Sequence, residues 1–321
     1  MRLLKIIPDN TNIQFVRIRY IAFAVTALLT IAAIGLVFAR GLNFGVDFVG
    51  GVAIEEKFVT VPPQAELRSV VDELGVGEAA LQQLGSDPNT FSIRLPLADD
   101  APEGAADAVV EKVKTALAAK FPGATFSNYT TVSGKVSDEL IRNGVLAVLL
   151  AVAGIAVFSW FRYEWQFGVS TAVAILHDVL MTLGFFALTQ MPFDLNIVAA
   201  VLTIIGYSIN DKMVIDDRIR ENMRKFRKMD MPQLIDLSVN ETLPRTVMTS
   251  LTILLALGSL LIFGGHVLQG FTAAMILGVI VGTYSSIYVS SSLLITLNLK
   301  AGTKVGSSEP TAAERAERAP R

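Results

Sequence analysis

Residues 195–221 read LNIVAAVLTIIGYSINDKMVIDDRIRE. The first part is long and apolar enough to cross a hydrocarbon core of ~30 Å at ~1.5 Å of helix rise per residue. Yet Asp211 lies about 9 Å of rise inside Asp217, within the inner half of the membrane. An ionisable group at that depth is costly, so it calls for a partner or a function. By i+3/i+4 spacing Thr203, Tyr207, Asn210 and Asp211 share one helical stripe. An unpaired carboxylate there would take up a proton, whereas a nearby guanidinium would hold it ionised. This stretch announces a membrane protein with a buried acid.

Five further stretches meet the same length, at 20–39, 141–161, 166–188, 247–263 and 271–297. The chain has 321 residues, 52% hydrophobic and only 17% charged, well short of the quarter usual in soluble domains. About 20 apolar residues in the first stretch exceed a signal-peptide core, so it reads as a retained anchor. Lys and Arg set the orientation. They gather at Arg2, Lys5, Arg17 and Arg19, at Arg162, from Arg218 to Lys228, and at Lys300 and Lys304. The connections near 190–194 and 264–270 carry none. Both termini are therefore expected in the cytoplasm and residues 41–140 outside it. The basic cluster at 218–228 needs no nucleic acid, because positive-inside anchoring by an amphipathic segment (216–244) explains it. With no cysteine and only His177 and His266, thiolate chemistry is excluded and a histidine metal cage is unsupported. No cofactor, metal or enzymatic activity is expected.

Between the first two spans the pattern turns globular. Strands are expected at 52–59, 79–84, 90–95 and 124–132, and helices at 62–74 and 103–121, with a turn at 85–89. The order βαββαβ is that of a ferredoxin-like unit, one face covered by helices and one open. Its open face or edges could bind an extended polypeptide, or the domain could be a rigid spacer. The fold class is thus an α-helical polytopic membrane protein with six transmembrane helices and one inserted α+β domain. Residues 1–40 form the N-terminus and first span, 41–140 the external domain and 141–300 a five-helix bundle. Residues 301–321, small and polar, read as a disordered tail.

Partners for Asp211 are sought on the neighbouring spans. Pro244-Arg245-Thr246 opens the fifth, antiparallel to the fourth, so Arg245 enters at the depth of Asp211, with Thr249 one turn deeper. Asp211–Arg245 is either a switchable pair that takes up and releases a proton or a static bridge between helices. His177-Asp178 in the third span is either a relay or a structural contact. In the sixth, Gly278-x-x-x-Gly282 and the serines that follow suit close helix packing. After the first span, GLNFGVDFVGG (41–51) sets Gly45, Gly50 and Gly51 around Asp47, a tight turn that Asp47 could cap.

Taken together, NIQFVRIRY (12–20), GLNFGVDFVGG, LHD (176–178), GYSINDKMVIDDRIREN (206–222), PRTVMTS (244–250) and GTYSSIYVSS (282–291) carry a resemblance. The chain resembles the SecD/SecF protein-export family of the RND superfamily, as the smaller, SecF-type partner, over all but its tail. The resemblance implies an RND-like half that pairs with SecD and joins the SecYEG translocon, commonly with YajC and sometimes YidC, in the bacterial inner membrane. It implies that the proton-motive force drives a preprotein outward, with protons as the coupling ion. It places the family's proton-path aspartate on Asp211, the arginine on Arg245 and the companion threonine on Thr249. Rival readings are an RND-type exporter of small molecules or lipids, and a passive scaffold for SecD and the translocon. Two positions depart from the family pattern: Lys212, where a small hydroxyl residue is usual, and Asp216, where an apolar or small one is. Lys212 points about 100° away from Asp211 around the helix, and its charge bears on the titration of that acid.

Overall fold

The computed structural model describes residues 8, 11–77, 79–84, 88–97 and 104–299. Arg2, Lys5, turn residues 85–87, Glu103, Lys300 and the tail 301–321, Lys304 included, lie outside the described residues. Among the described residues, six helices are long and apolar enough to cross a membrane. The first, α1 (Arg19–Arg40), follows a single 3-10 turn at Val16–Ile18. A one-turn helix α2 (Val46–Val49) then leads into the inserted domain. Its elements are β1 (Gly51–Lys57), α3 (Gln64–Asp72), β2 (Ala80–Gln83), β3 (Thr90–Leu95), α4 (Ala105–Lys120) and β4 (Thr125–Val132). The remaining spans are α5 (Gly134–Arg162), α6 (Trp165–Thr189), α7 (Leu195–Lys225) and α8 (Met231–Phe263). The last comprises α9 (Gly265–Tyr284), a π-helical segment (Ser285–Ser290) and α10 (Ser291–Thr296).

The sheet is antiparallel in the order β2-β3-β1-β4. Alternation drives its packing: Val52, Ile54, Phe91, Ile93 and Leu95 are buried with Leu67 and Val71 of α3 and Val110, Val113 and Leu117 of α4. The intervening residues face the domain-side ends of the spans across a cleft of about 480 Å³ lined by Glu55, Gln82, Ser92, Arg94, Asn128 and Asp194. That face is therefore tied down as well as open. Arg94 donates to Asn43 Oδ1 (2.7 Å) and Gln82 Oε1 (3.1 Å), and Asn43 and Gln82 both donate to the Gln190 carbonyl (2.7 and 3.2 Å).

The segment 216–244 does not form a separate surface helix. Ile215, Ile219 and Met223, one turn apart on α7, pack against Leu234, Ile235, Val239 and Leu243 of α8, so both spans continue into one antiparallel hairpin. Consequently Pro244 does not open the fifth span; it lies inside α8. The tight hydrophobic packing on both sides outweighs the hydrogen bond that proline cannot donate. Phe15 and Val16 join the same cluster, and Asn240 brackets the backbone of Ile13 with bonds of 2.9 and 2.8 Å. Closer to the inserted domain, α9 approaches α7 through Gly278 and Gly282. A Cβ at Gly278 would collide with Ile204, and one at Gly282 would come within 3.2 Å of Ser208.

Candidate functional site

The glycine motif explains how the two parts meet. Gly50 and Gly51 both adopt positive φ (76° and 107°), and a Cβ at Gly51 would overlap the Leu95 carbonyl, so only glycine starts β1 there. Gly45 donates to Phe193 O (2.8 Å), and its own Cβ position is crowded by Asp194 at 3.2 Å. Asp47 caps a neighbour rather than its own turn. Its Oδ2 accepts from Leu195 N (2.9 Å), the first residue of α7, while Asp194 accepts from Ile197 N (3.2 Å). Burial pushes the Asp194 carboxyl up from its ordinary range.

Asp211 is only 6% exposed. Its Oδ1 accepts a 2.6 Å bond from Thr246 Oγ of α8, and its buried Oδ2 has no hydrogen-bond partner among the described residues. Among the described residues Arg245 makes no ion pair with it, and its side chain is exposed. The hydroxyl beside the acid is thus Thr246, which the motif PRT contains but the expected i+4 step from Arg245 passes over. Thr249 is exposed, and its hydroxyl donates back to the carbonyls of Arg245 (3.0 Å) and Thr246 (2.9 Å). Thr203 and Asn210, on the same stripe, are exposed and make no hydrogen bond with the acid among the described residues. Tyr207 begins a hydroxyl chain to Ser250 (2.8 Å) and Thr283 (2.9 Å), linking α7, α8 and α9.

A second polar centre lies on the opposite flank of α7. Asp178 of α6, 1% exposed, accepts from Ser208 (2.6 Å) and from Ser285 of the π-helical segment (3.0 Å). His177 Nδ1 is 3.1 Å from its other oxygen. One turn towards the basic end, Lys212 is also buried. Its ammonium donates to Ser170 Oγ of α6 (3.1 Å) and to Ser290 Oγ, and lies 3.0 Å from the Asp216 carboxylate. Lys212 and Asp216 therefore form one ion pair. Their i,i+4 spacing was the available signal.

The family model described as "Protein export membrane protein SecD/SecF, C-terminal" matches residues 112–300, and that described as "SecD/SecF GG Motif" matches 35–55. "Protein translocase subunit SecF" of Cereibacter sphaeroides is 41% identical over 304 residues, covering 93% of this chain and 94% of the relative. That of Rickettsia akari is 38% identical over 292 residues, covering 91% and 94%. The crystal structure of SecDF, a translocon-associated membrane protein from Thermus, superposes with a TM-score of 0.82 at 38% identity, over 91% of this chain and 40% of that one. A super-membrane-facing form of SecDF gives 0.67 over 90% and 39%. This chain thus spans about 40% of the length of the solved SecDF protein.

Proposed function

The chain belongs to the SecD/SecF protein-export family, and on that premise we propose that it is a SecD partner that helps couple proton flow to polypeptide export. In this reading it sits in the bacterial inner membrane with both termini cytoplasmic and the sheet domain periplasmic. It joins the Sec translocon (SecYEG, with YajC or YidC), and protons are its only coupling agent. The relatives' name as translocase subunits and the likeness to a translocon-associated protein support the assignment.

One observation carries the mechanism. Asp211 is withdrawn from water, held through one oxygen by Thr246, and free at the other. A carboxylate so placed can accept a proton at Oδ2 without first breaking a bond. Protonation removes the charge that strengthens the Thr246 contact and draws on Arg245. The outer part of α8 is then free to shift against α7. A hydrogen bond to a charged group contributes about 1.5–3 kcal/mol, and one charge crossing 100 mV supplies about 2.3 kcal/mol, so the drive matches the contact it must release. His177 and Asp178 are read as fasteners, since Asp178 already accepts from two serines of neighbouring elements.

The sheet domain is anchored to α7, so a shift of α8 is a shift relative to that domain's base. Asp47 caps α7, and Asn43 and Gln190 hold Arg94 and Gln82. Asp211→Asn in the chain reconstituted with SecD should abolish proton-dependent export while leaving co-purification with SecD intact. Export at the wild-type rate would leave a passive scaffold.

A further inference from the structure

Lys212 and Asp216 do no work in the proton step just described, yet they are among the most deeply buried charges in the bundle. An ammonium has three donors and no acceptor. Here all three are used, and by three different elements: Ser170 on α6, Ser290 at the end of the π-helical segment, and Asp216 on α7 itself. Ser170 is oriented to receive its bond because its own hydroxyl donates to Phe167 O at 3.0 Å. No atom of Asp211 is involved. One turn further out, the same three elements meet again where Ser208 and Ser285 converge on Asp178.

We propose that the Lys212–Asp216 pair, bonded to Ser170 and Ser290, is a clamp that locks the rotation of α7 against α6 and the π-helical segment, making Lys212 a positioning residue that aims Asp211 at α8. The two residues are adjacent, so their side chains leave α7 about 100° apart. Fixing one therefore fixes the azimuth of the other. The clamp also selects the moving part. Rotating α7 would strip a buried ammonium of its partners, which is far costlier than releasing one threonine hydroxyl. At its basic end α7 is further tied to the inner half of α8, where Asn222 donates to Ser238 (3.0 Å) and Glu241 (2.7 Å). Beyond Pro244 the polar contacts of α8 with α7 among the described residues are hydroxyl ones, Thr246–Asp211 and Ser250–Tyr207; the rest is apolar packing, with Leu257 in one cluster with Ile197, Ala200 and Ile204. The segment free to move is α8 from Pro244 outward. Lengthened turns of the π type commonly mark such functional sites, and this one places Ser285 on the Asp178 carboxylate and Ser290 on the Lys212 ammonium.

The clamp rests on the reading of Asp211 as the proton-exchanging group, and the test separates the two. The full chain, reconstituted with SecD, is assayed for proton-driven export and for amide hydrogen exchange at 285–291. Lys212→Met leaves Asp216 buried and uncompensated; exchange should rise, and export fall, each by about tenfold or more. Lys212→Met with Asp216→Leu removes both charges and should return both readouts to within about twofold of wild type. Should Lys212→Met fail to insert, Asp216→Asn, close in volume, should show the same single-variant loss. Asp211→Asn should abolish export with exchange at 285–291 unchanged. Unaltered exchange in the single variants overturns the clamp. A double variant that regains protection but not export overturns the positioning role, because the Lys212 charge itself would then be needed. Wild-type export by Asp211→Asn would remove the reading beneath, while the exchange data still judge the clamp.

Discussion

Two acids in this chain are withdrawn from water for different ends. Glu56 of β1 is 1% exposed on the helix-covered face of the sheet, where burial pushes its carboxyl above the ordinary value near 4.5 and Lys114 only partly offsets this. A raised carboxyl binds its proton more tightly folded than unfolded, so the sheet loses stability as pH climbs through the window above 4.5. Glu56→Gln should therefore slow amide exchange in β1 and β3 at about pH 7, with the gain gone by about pH 4. A gain of equal size at both pH values would contradict this. Asp211 likewise has one buried oxygen without a hydrogen-bond partner among the described residues, as Glu56 and Asp216 do, but of these three it alone is bonded across the α7–α8 contact, by Thr246. Because Thr246 holds the other oxygen, Thr246→Val should cut proton-driven export by about tenfold and Thr246→Ser should preserve it. Loss in both variants would assign Thr246 to packing alone. The acid was legible in the sequence because a charge inside an apolar run stands out. Its hydroxyl partner was not, since Thr246 and Thr249 are three residues apart and only the rotation of α8 decides between them.

At the level of elements, length and apolar content sufficed to find six spans among the described residues, and apolar runs bounded by turn signals sufficed for the strands of the inserted domain. Where a span passed into polar sequence the reading failed. The buried stripe of Ile215, Ile219 and Met223 extends α7 to Lys225, and its mate on α8 starts at Met231, so Pro244 falls mid-helix. Proline suggested a helix start because that is its easiest position, but tertiary packing overrode the preference. That placement has a mechanical consequence. Pro244 separates the half of α8 bound to Asn222 and Arg218 from the half that carries Thr246. Pro244→Ala restores a backbone donor and stiffens the joint. Exchange around 238–244 should slow by about tenfold, and export should fall although the helix is more stable. Faster export with slower exchange would show that no hinge is needed there.

In the whole molecule, the proposed mechanism requires the bundle to pass movement to a small sheet domain through few contacts. The polar group Arg94, Asn43, Gln82 and Gln190 joins the sheet to the ends of α1 and α6, and the short α2 turn with its glycines sits beside it. No periodicity could foretell this network, because its members are far apart in the chain and each looks like an ordinary surface residue. Arg94→Ala should widen the distance distribution between spin labels at Asn128 and Gln269, which line the cleft between sheet and bundle. An unchanged distribution would mean that the glycine turn alone sets the pose. The two solved SecDF forms superpose on this chain to different degrees at the same 38% identity, as expected if family members adopt more than one arrangement. The most direct test is proton uptake by vesicles holding this chain with SecD under an imposed pH gradient. Wild-type protein should carry protons, and Asp211→Asn should fall at least about tenfold, to the leak of empty vesicles. Equal uptake by the two proteins would contradict the account.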